Sequence, residues 1–442
     1  MRRVRVGWLA PENSTIPPGA HAGSVTTTMW EAVTRLSDRC EFVIATRDHP
    51  VLGELPMELD GVRFLRDPAL ADVRRGEALT LLNKVERKLG VRDRPYAGRP
   101  SYFRGYARTH AAAFRRAEVD IVHLYNTSQW VPILRAALPR TPIVLQMHCE
   151  WLAEIPWNEG FERLRLVDRV LGVSQQIADQ IRDRFPEHAG KVDVLPNGVD
   201  PNDFRPATEV RTERAGEVEE LRRRLGLGDG PVALFVGRIS AEKSLHTLFE
   251  ALPAVRERVP GAQVLIVGKR AGLRSPLPTR ERRELLGHPE WRARYVDHLE
   301  RLAEPLGESV RFAGPLAYAD VPLAYALADV YVQPSVFEAY GLPVVEAMAS
   351  GLPVVVSDGG ALPELVDDGE TGYVVPSGDA RSLAEALVSV LSDRALAARL
   401  GRAGRERAAR SMSWDTVADR LFALYAELAA EGSRPRLTPA AL

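Results

Sequence analysis

Short apolar runs that alternate with stretches of helical spacing recur along almost the whole 442-residue chain. Runs of this length are typical of strands that are buried on both faces of a parallel sheet. In the first half they are VRVGWLA, EFVIAT, GVRFL, DIVHLY, PIVLQMH, RVLGVS and VDVLP, with candidate helices that include residues 105–116 and 175–184. The alternation predicts an α/β fold with a doubly wound, Rossmann-like sheet.

The same alternation starts again after a break near residue 205. The break consists of PNGVDPNDFRP followed by a charge-rich stretch, residues 207–224. Six runs follow it, VALFVG, VLIVG, VRFAG, DVYVQP, PVVVSD and GYVVP, with helices expected from Leu245, near 295–303, near 321–328, from Pro343 and from Ser382. We therefore predict two Rossmann-like domains, residues 1–205 and 206–410, that face a shared cleft lined by the carboxyl ends of their strands. Residues 411–432 have the spacing of an amphipathic helix.

The composition is that of an ordinary globular protein, with 45% hydrophobic and 26% charged residues. A net charge of −1 argues against nucleic-acid binding by bulk electrostatics. The two cysteines, Cys40 and Cys149, exclude a disulfide framework and a cysteine zinc cluster. The N-terminus lacks the apolar core of a signal peptide, and no run approaches the ~18 apolar residues of a membrane span. We expect a cytoplasmic protein.

Residues 335–360, SVFEAYGLPVVEAMASGLPVVVSDGG, hold two glutamates, Glu338 and Glu346, on either side of Gly341-Leu342-Pro343. The fixed φ of Pro343 suits the first position of a helix. The amides of Gly341 and Leu342 would then point out of the helix end, where the dipole favours an anion such as a phosphate. Carboxylates beside a phosphate are good acceptors for sugar hydroxyls, so the pattern suggests a nucleotide that carries a sugar. The alternative is a plain helix start with solvated acids.

Two other segments leave alternatives open. The loop after the first strand contains Gly19 and Gly23, which permit either a tight turn or a close approach of backbone to a ligand. Residues 73–118 carry many Arg and Lys residues with interspersed tyrosines. A solvated face or loop is the simpler interpretation of that segment, and an acceptor-binding or peripheral membrane-binding patch is the alternative. The segment 269–307 is longer than a strand-to-strand connection needs and has no assigned role.

With these motifs in order, the sequence resembles the family 4 retaining glycosyltransferases of the GT-B fold, over nearly its whole length. Four motifs carry the likeness: GRx4K with Arg238 and Lys243, E-x7-E with Glu338 and Glu346, PNGVD at 196–200, and DGGALPELVDDGETG at 358–372.

The resemblance implies a role for each matching residue. Arg238 and Lys243 would bind the donor diphosphate, in agreement with the strength of charge-assisted bonds from such cations to phosphate. Glu338 would bind hydroxyls of the transferred sugar, the Gly341 and Leu342 amides the phosphate, and Glu346 the ribose. The resemblance also makes His148, which ends PIVLQMH, a catalytic residue near the sugar, although such a histidine is more often a packing residue. The implied donor-binding set is completed by Gly23, Asn197 and Tyr340.

Two matches are imperfect or ambiguous. Ala22-Gly23 stands where the family has two glycines, and Asn197 with Gly198 also fits a simple interdomain turn. The C-terminal helix with Trp414 is expected to pack back towards the first domain, as in the family.

The resemblance further implies a reaction. A sugar would pass from a UDP- or GDP-sugar to an acceptor hydroxyl on a small molecule or a glycan, with retention, with no cofactor and with no metal. Two routes give retention: attack on the face from which the diphosphate leaves, or a covalent intermediate on a carboxylate such as Glu338. The first is preferred, because a carboxylate that binds sugar hydroxyls is badly placed to attack the anomeric carbon. The competing classes are a catalytically silent nucleotide-sugar-binding or structural protein of the same fold, and the related phosphorylases and starch synthases. The oligomeric state is open.

Overall fold

A computed structural model describes residues 2–11, 16, 24–47, 57–59, 61–88, 99, 101–270 and 295–432. The chain divides into two compact units, Met1–Pro196 with Val417–Leu442, and Asn197–Thr416. The division lies at Pro196, whereas the sequence pattern places it near residue 205.

A parallel sheet organises the first unit. Within the described residues its strands are β1 (Val4–Leu9), β2 (Cys40–Arg47), β3 (Glu58–Leu59), β4 (Val62–Asp67), β5 (Ile121–Tyr125), β6 (Ile143–Met147), β7 (Arg169–Gly172) and β8 (Val192–Val194). Their order is β3-β4-β2-β1-β5-β6-β7-β8, and only the short β3 is antiparallel to its neighbour. The central strands are buried on both faces, as their continuous apolar runs require.

Helices connect these strands. They are α1 (Ser24–Leu36), α2 (Leu70–Lys88), α3 (Arg104–Arg116), α4 (Val131–Ala137), α5 (Trp151–Glu154), α6 (Trp157–Arg165) and α7 (Gln175–Arg184). The helix α7 begins where the hydroxyl of Ser174 accepts the Ile177 amide at 3.2 Å, a typical N-cap.

The second unit has its own parallel sheet. Its strands in the described residues are β9 (Val232–Val236), β10 (Gln263–Val267), β11 (Val310–Gly314), β12 (Val330–Gln333), β13 (Val354–Ser357) and β14 (Gly372–Val375). They lie in the order β11-β10-β9-β12-β13-β14. The described helices of this unit are α8 (Ala207–Glu213), α9 (Ala215–Leu225), α10 (Leu245–Arg258), α11 (Tyr295–Ala303), α12 (Val321–Leu327), α13 (Leu342–Ala349), α14 (Leu362–Leu365), α15 (Ala380–Ser392) and α16 (Arg394–Ser411).

The last helix, α17 (Trp414–Gly432), belongs to the first unit from Val417 onward. Its Tyr425 is buried, and its hydroxyl accepts the Trp8 Nε1–H at 2.9 Å. An exposed ion pair of Arg169 with Glu427, at 2.7 Å, joins the same helix to β7.

The two-domain α/β prediction is confirmed, and the differences are local. Helix α13 begins at Leu342, so Pro343 is its second residue and not its first. Helix α15 begins two residues before Ser382, because the Asp379 carboxylate caps its first amides. Eight of the described helices were not predicted: α2, α4, α5, α6, α8, α9, α14 and α16. Among the described residues, no helix combines the length and the apolarity needed to span a membrane.

Candidate active site

The candidate donor site lies where the strand order of the second unit reverses. Chain connections run outward from β9 on one side and from β12 on the other. At such a reversal the loops after the two strands diverge and leave a crevice, in which open α/β sheets bind ligands. Arg238 and Lys243 follow β9, and Glu338 and Gly341 follow β12.

Lys243 and Glu338 form an ion pair through Nζ and Oε2. Their side chains are only 11% and 17% exposed. Lys243 ends a short 3-10 turn, Ala241–Lys243, and the next residue, Ser244, has a left-handed backbone with φ of 50°. The ammonium retains two further N–H donors for a ligand.

Gln333, the last residue of β12, supports the same carboxylate. Its Nε2 lies 3.3 Å from Glu338 Oε2 and 2.7 Å from the Ser335 hydroxyl, and its Oε1 accepts the Tyr331 hydroxyl at 2.5 Å. Sequence reasoning missed Gln333. The available signal was a polar side chain at the carboxyl end of a buried strand, which is where parallel sheets place functional groups.

The guanidinium of Arg238 has a different partner, Glu242. Its Nη2 lies 3.5 Å from Glu242 Oε1, and its side chain is 57% exposed. Although burial acts to raise it, the pKa of Glu242 lies below its usual value, because hydrogen bonds from Ser240 and the backbone and the charges of Lys243 and Arg238 stabilise the carboxylate. Arg238 is thus held only loosely and is accessible to an anionic ligand.

Two glycines after β13 allow the Glu338 loop to take its place. A Cβ on Gly360 would lie 2.2 Å from the Glu338 carbonyl oxygen, and one on Gly359 would lie 2.0 Å from the Ser335 carbonyl oxygen. Gly360 also has a φ of 75°, and the following amide, of Ala361, donates to the Glu338 carbonyl at 2.8 Å. The DGG run therefore has a steric role, since any side chain there would push the two loops apart.

The N-terminus of α13 faces the same loop. Gly341 is its N-cap with a φ of 106°, and a Cβ on Gly341 would lie 3.5 Å from Glu338 Cγ. In the described part of the chain, the N–H groups of Gly341 and Leu342 donate to no other residue. Free amides at the positive end of a helix dipole bind anions.

Glu346 lies one turn into α13 and is only 7% exposed. Its Oε2 accepts the hydroxyl of Tyr325 at 2.8 Å. Burial raises the pKa of Glu346 to about 7, and the hydrogen bond from Tyr325 acts against that rise. Sequence reasoning missed Tyr325, which lies on α12.

Tyr340 and Asn197 contact each other. The Tyr340 hydroxyl donates to the Asn197 carbonyl at 2.6 Å, and both residues are buried. Burial raises the pKa of Tyr340. The adjacent Gly198 packs against Trp414, with the position of its absent Cβ 2.7 Å from Trp414 Cα. The hydroxyl of Tyr340 is thus engaged by the backbone of the PNGVD motif.

His148 belongs to the first unit and follows β6. Its backbone N–H donates to Oδ1 of Asn126 at 2.6 Å. Asn126 directly follows β5 and has a left-handed φ of 59°, which asparagine tolerates better than most residues. The Nε2 atom of His148 is covered but has no hydrogen-bond partner in the described part of the chain, and burial lowers the pKa of the ring to about 4. His148 is therefore a neutral imidazole at neutral pH.

A buried layer of polar rings lies beside His148 on the same sheet. Tyr125 stacks on the His148 ring at 5.6 Å between centroids and on the His123 ring at 4.6 Å. His123 Nδ1 lies 2.6 Å from the Tyr425 hydroxyl. Burial lowers the pKa of His123 to about 3. Neither His123 nor Tyr425 was singled out from the sequence, because a polar residue within an apolar run carries no signal of its own.

Two further predictions from the sequence concern the first unit. Gly23, with Ala22, lies outside the described residues. The basic segment 73–118 is helical in α2 and α3, and a cavity of about 410 Å³ lies between α3 and α4. Three arginines line it together with apolar side chains: Arg104, Arg108 and Arg115. A role of segment 73–118 in membrane or acceptor binding stays a prediction.

The structure thus brings some of the sequence-selected residues together. Lys243 contacts Glu338, Gly341 packs beside Glu338, and Tyr340 contacts Asn197. Arg238 pairs with Glu242, and Glu346 pairs with Tyr325. Glu242 and Tyr325 were not among the predicted site residues. Among the described residues no three His, Cys, Asp or Glu side chains form a group that could hold a metal ion.

Comparison with known proteins gives the class and then the family. The model of "Glycosyl transferases group 1" matches residues 217–407, and that of "Glycosyltransferase Family 4" matches residues 25–203. Spore coat protein SA of Bacillus subtilis is 31% identical over 324 residues, 72% of this chain and 81% of that protein. Phosphatidyl-myo-inositol mannosyltransferase of Mycobacterium leprae is 30% identical over 335 residues, 72% of this chain and 76% of its own.

The fold has solved counterparts. Anabaena HepE in complex with UDP superimposes with a TM-score of 0.68 at 19% identity, over 96% of this chain and 100% of that one. The architecture is that of the GT-B glycosyltransferases. The chain belongs to glycosyltransferase family 4, and it is a glycosyltransferase.

Proposed function

We propose that the enzyme transfers a sugar from a UDP- or GDP-sugar to a hydroxyl of a glycan or small-molecule acceptor, with retention of configuration. The observation that carries the proposal is the cluster of Lys243, Glu338 and the amide end of α13 at the carboxyl ends of β9 and β12. An ammonium beside free helix amides complements a diphosphate. A carboxylate within the same cluster is suited to sugar hydroxyls.

The comparisons support this class of donor and acceptor. The solved structure of HepE contains UDP, and the mycobacterial relative is named a phosphatidyl-myo-inositol mannosyltransferase. The first favours a nucleoside diphosphate as the group that the cluster binds, and the second favours a sugar as the group that is transferred.

The proposed chemistry is a front-face displacement. The acceptor oxygen bonds to the anomeric carbon on the face from which the diphosphate departs, the bond from that carbon to the phosphate oxygen breaks, and a phosphate oxygen takes the acceptor proton. Arg238 and Lys243 stabilise the charge on the leaving diphosphate in place of a metal. Glu338, whose Oε2 contacts Lys243 and Gln333, is assigned in this route to sugar hydroxyls and forms no bond to the anomeric carbon. His148, a neutral imidazole, contacts the transferred sugar.

The test incubates the purified protein with UDP-glucose, UDP-N-acetylglucosamine or GDP-mannose and a set of inositol, glycerol and oligosaccharide acceptors, in excess EDTA. Proton NMR follows release of the nucleoside diphosphate and the configuration of the product. We expect one donor to be consumed and an α-linked donor to give an α-linked product. Thermal denaturation ranks the donors, since a ligand at 100 times its Kd adds about 2.7 kcal/mol of stability.

Three results would each remove part of the proposal. A product with inverted configuration excludes the front-face route. Activity that EDTA abolishes and Mg²⁺ restores excludes a metal-independent reaction. If no donor is bound at millimolar concentration, the chain is not a nucleotide-sugar enzyme of this type.

A further inference from the structure

Glu346, the second residue of the two-glutamate motif, is hydrogen-bonded to Tyr325, which lies outside that motif. The hydroxyl of Tyr325 lies 2.8 Å from Glu346 Oε2 and 3.1 Å from the carbonyl oxygen of Pro343. A hydroxyl has one hydrogen, so it donates to one of these acceptors at a time. The bond to an ionised carboxylate is the stronger of the two.

Both protonation states of Glu346 can be satisfied by this arrangement. When Glu346 is ionised, Tyr325 donates to Oε2. When Glu346 is protonated on Oε2, the carboxyl donates its proton to the Tyr325 oxygen, and Tyr325 turns its own hydrogen to the Pro343 carbonyl. No buried donor is left without an acceptor in either state.

The position of the Tyr325 hydroxyl is fixed by packing. Tyr325 is fully buried, and its ring contacts the ring of Phe204 at 5.7 Å and that of Tyr331 at 6.0 Å between centroids. The C-terminal end of α12 is held by Arg211, whose Nε donates to the Ala326 carbonyl at 2.5 Å. Because the ring cannot move away, the hydroxyl stays within reach of Glu346.

Few other titratable groups act on this carboxylate. Tyr325 is the titratable residue of α12, Tyr331 is that of β12, and β13 has none. On α16, Arg405 contacts the far end of α13, where it donates to the Ala349 carbonyl. No ion pair of Glu346 is formed within the described residues, and burial is the main cause of its raised pKa, about 7.

We propose that Tyr325 is a positioning residue that holds Glu346 as an ionised acceptor for the donor ribose, so that donor affinity rises with pH through neutrality. This inference rests on the proposed role of Glu346 in ribose binding. An ionised carboxylate accepts hydroxyl protons more strongly than a protonated one. The difference between charged and neutral hydrogen bonds corresponds to roughly tenfold in affinity.

Replacing Tyr325 by phenylalanine removes the bond that favours the ionised form. The pKa of Glu346 then rises further, because burial is no longer opposed. At pH 7 a smaller fraction of Glu346 is ionised, so Y325F binds the donor more weakly, by up to about fivefold, because wild-type Glu346 is itself only half ionised at this pH. Raising the pH restores the ionised form and therefore the affinity, which loss of ring packing alone would not do.

The experiment measures the Kd of UDP-glucose and GDP-mannose by calorimetry between pH 6 and pH 8.5. The sugar-linked diphosphate does not titrate in this range, unlike free UDP. The proteins are the wild type, Y325F, E346Q and the control Y106F, which loses a buried tyrosine hydroxyl bond to the Ala10 carbonyl in the other unit. We expect wild type and Y106F to gain affinity as the pH rises, Y325F to follow the same course at higher pH, and E346Q to bind weakly at every pH.

The possible outcomes distinguish failure of the Tyr325 inference from failure of the proposed role of Glu346. If E346Q binds as tightly as wild type throughout, Glu346 is not the ribose acceptor, and this part of the proposed function is lost together with the inference. If E346Q is weak but Y325F superimposes on wild type, the role of Tyr325 is wrong and the proposed function stands. Should Y325F fail to fold, wild-type titrations at pH 7 in buffers of different ionisation enthalpy decide the matter. Binding must release protons from Glu346, and zero release overturns the inference.

Discussion

The regions around Glu338 and His148 satisfy their buried polar side chains in different ways. In the second unit Lys243 is paired with Glu338 and Tyr325 with Glu346. In the first unit, the Tyr125 hydroxyl and His148 Nε2 have no hydrogen-bond partner among the described residues, and their two rings stack on each other. A paired site presents fixed charges to an ion, whereas a stacked site presents neutral donors and acceptors.

Burial shifts the titration of bases and acids in these regions in opposite directions. It lowers the pKa of His148 to about 4 and that of His123 to about 3, while it raises the pKa of Glu346 to about 7. In each case burial favours the neutral form. At Glu346 the hydrogen bond from Tyr325 opposes this effect, whereas Nε2 of His148 has no hydrogen-bond partner among the described residues.

The largest effect is expected from breaking the charge pair of the second unit. Replacing Lys243 by alanine removes a cation from the proposed diphosphate site and leaves Glu338 without its partner. We expect kcat to fall roughly 10²- to 10³-fold, as for loss of one group that stabilises developing charge. Steady-state kinetics with the donor identified by NMR measures the effect.

The matched control is Arg381→Ala. Arg381 pairs with Glu385 at 3.0 Å, but its side chain is 88% exposed, so the pair contributes little. Wild-type turnover by K243A would mean that the pairing has no part in catalysis, and the contrast between the units would be structural only.

The next largest effect is a pH dependence of stability to which His148 and Glu346 contribute with opposite signs. The folded pKa of His148 lies below its usual 6.5, so its contribution is present above pH 6.5 and is lost as the pH falls towards 4, about 3 kcal/mol in all. The folded pKa of Glu346 lies above its usual 4.5, so its contribution is present below pH 4.5 and is lost as the pH rises through 7, again about 3 kcal/mol.

Urea denaturation between pH 4.5 and pH 8.5 tests both signs. Five of the seven tryptophans lie in the first unit, so fluorescence reports mainly on that unit, and calorimetry follows the whole chain. H148N should make the acid limb of the curve shallower, with the remaining slope due to other buried histidines such as His123, and leave the alkaline limb unchanged. E346Q should change the alkaline limb and leave the acid limb unchanged. Curves for both variants that run parallel to wild type would show that these two residues do not set the pH dependence.

The strands of both sheets could be predicted from the sequence, because buried parallel strands consist of contiguous apolar residues. The sequence also located α11 at Tyr295–Ala303 and α7 at Gln175–Arg184, and at α7 the Ser174 N-cap agrees with the periodicity. It did not predict α16, because this helix contains many arginines and its buried face includes small residues such as Gly401 and Gly404, which give no clear apolar pattern.

The site was predictable only as far as its motifs reach. Lys243 and Glu338 were selected separately, yet their pairing across 95 residues follows from the sheet topology and not from local pattern. Tyr325 and Gln333 carry no motif and become visible only through their contacts with Glu346 and Glu338. Gly23 was selected by its place in a glycine loop, and it stays a prediction.

The smallest effect is expected from the support of His148, which is positioned through its backbone and not by a charged partner. Asn126 itself has a left-handed φ, and its Oδ1 accepts a hydrogen bond from the His148 amide at 2.6 Å. N126G keeps the backbone geometry but removes the acceptor, and we expect a fall in kcat of roughly fivefold, the value of one neutral hydrogen bond. N126A removes the acceptor and adds backbone strain, so its stability should be lower than that of N126G by about 1 kcal/mol.

N126D is the matched control, since its carboxylate can still accept the amide and aspartate tolerates left-handed φ. Comparison of kcat for the three variants at constant donor concentration separates the acceptor from the backbone. If N126G turns over like wild type while N126A does not, the left-handed conformation alone positions His148. If all three match wild type, His148 needs no such support, and the stacked rings of Tyr125 and His123 hold it without help from Asn126.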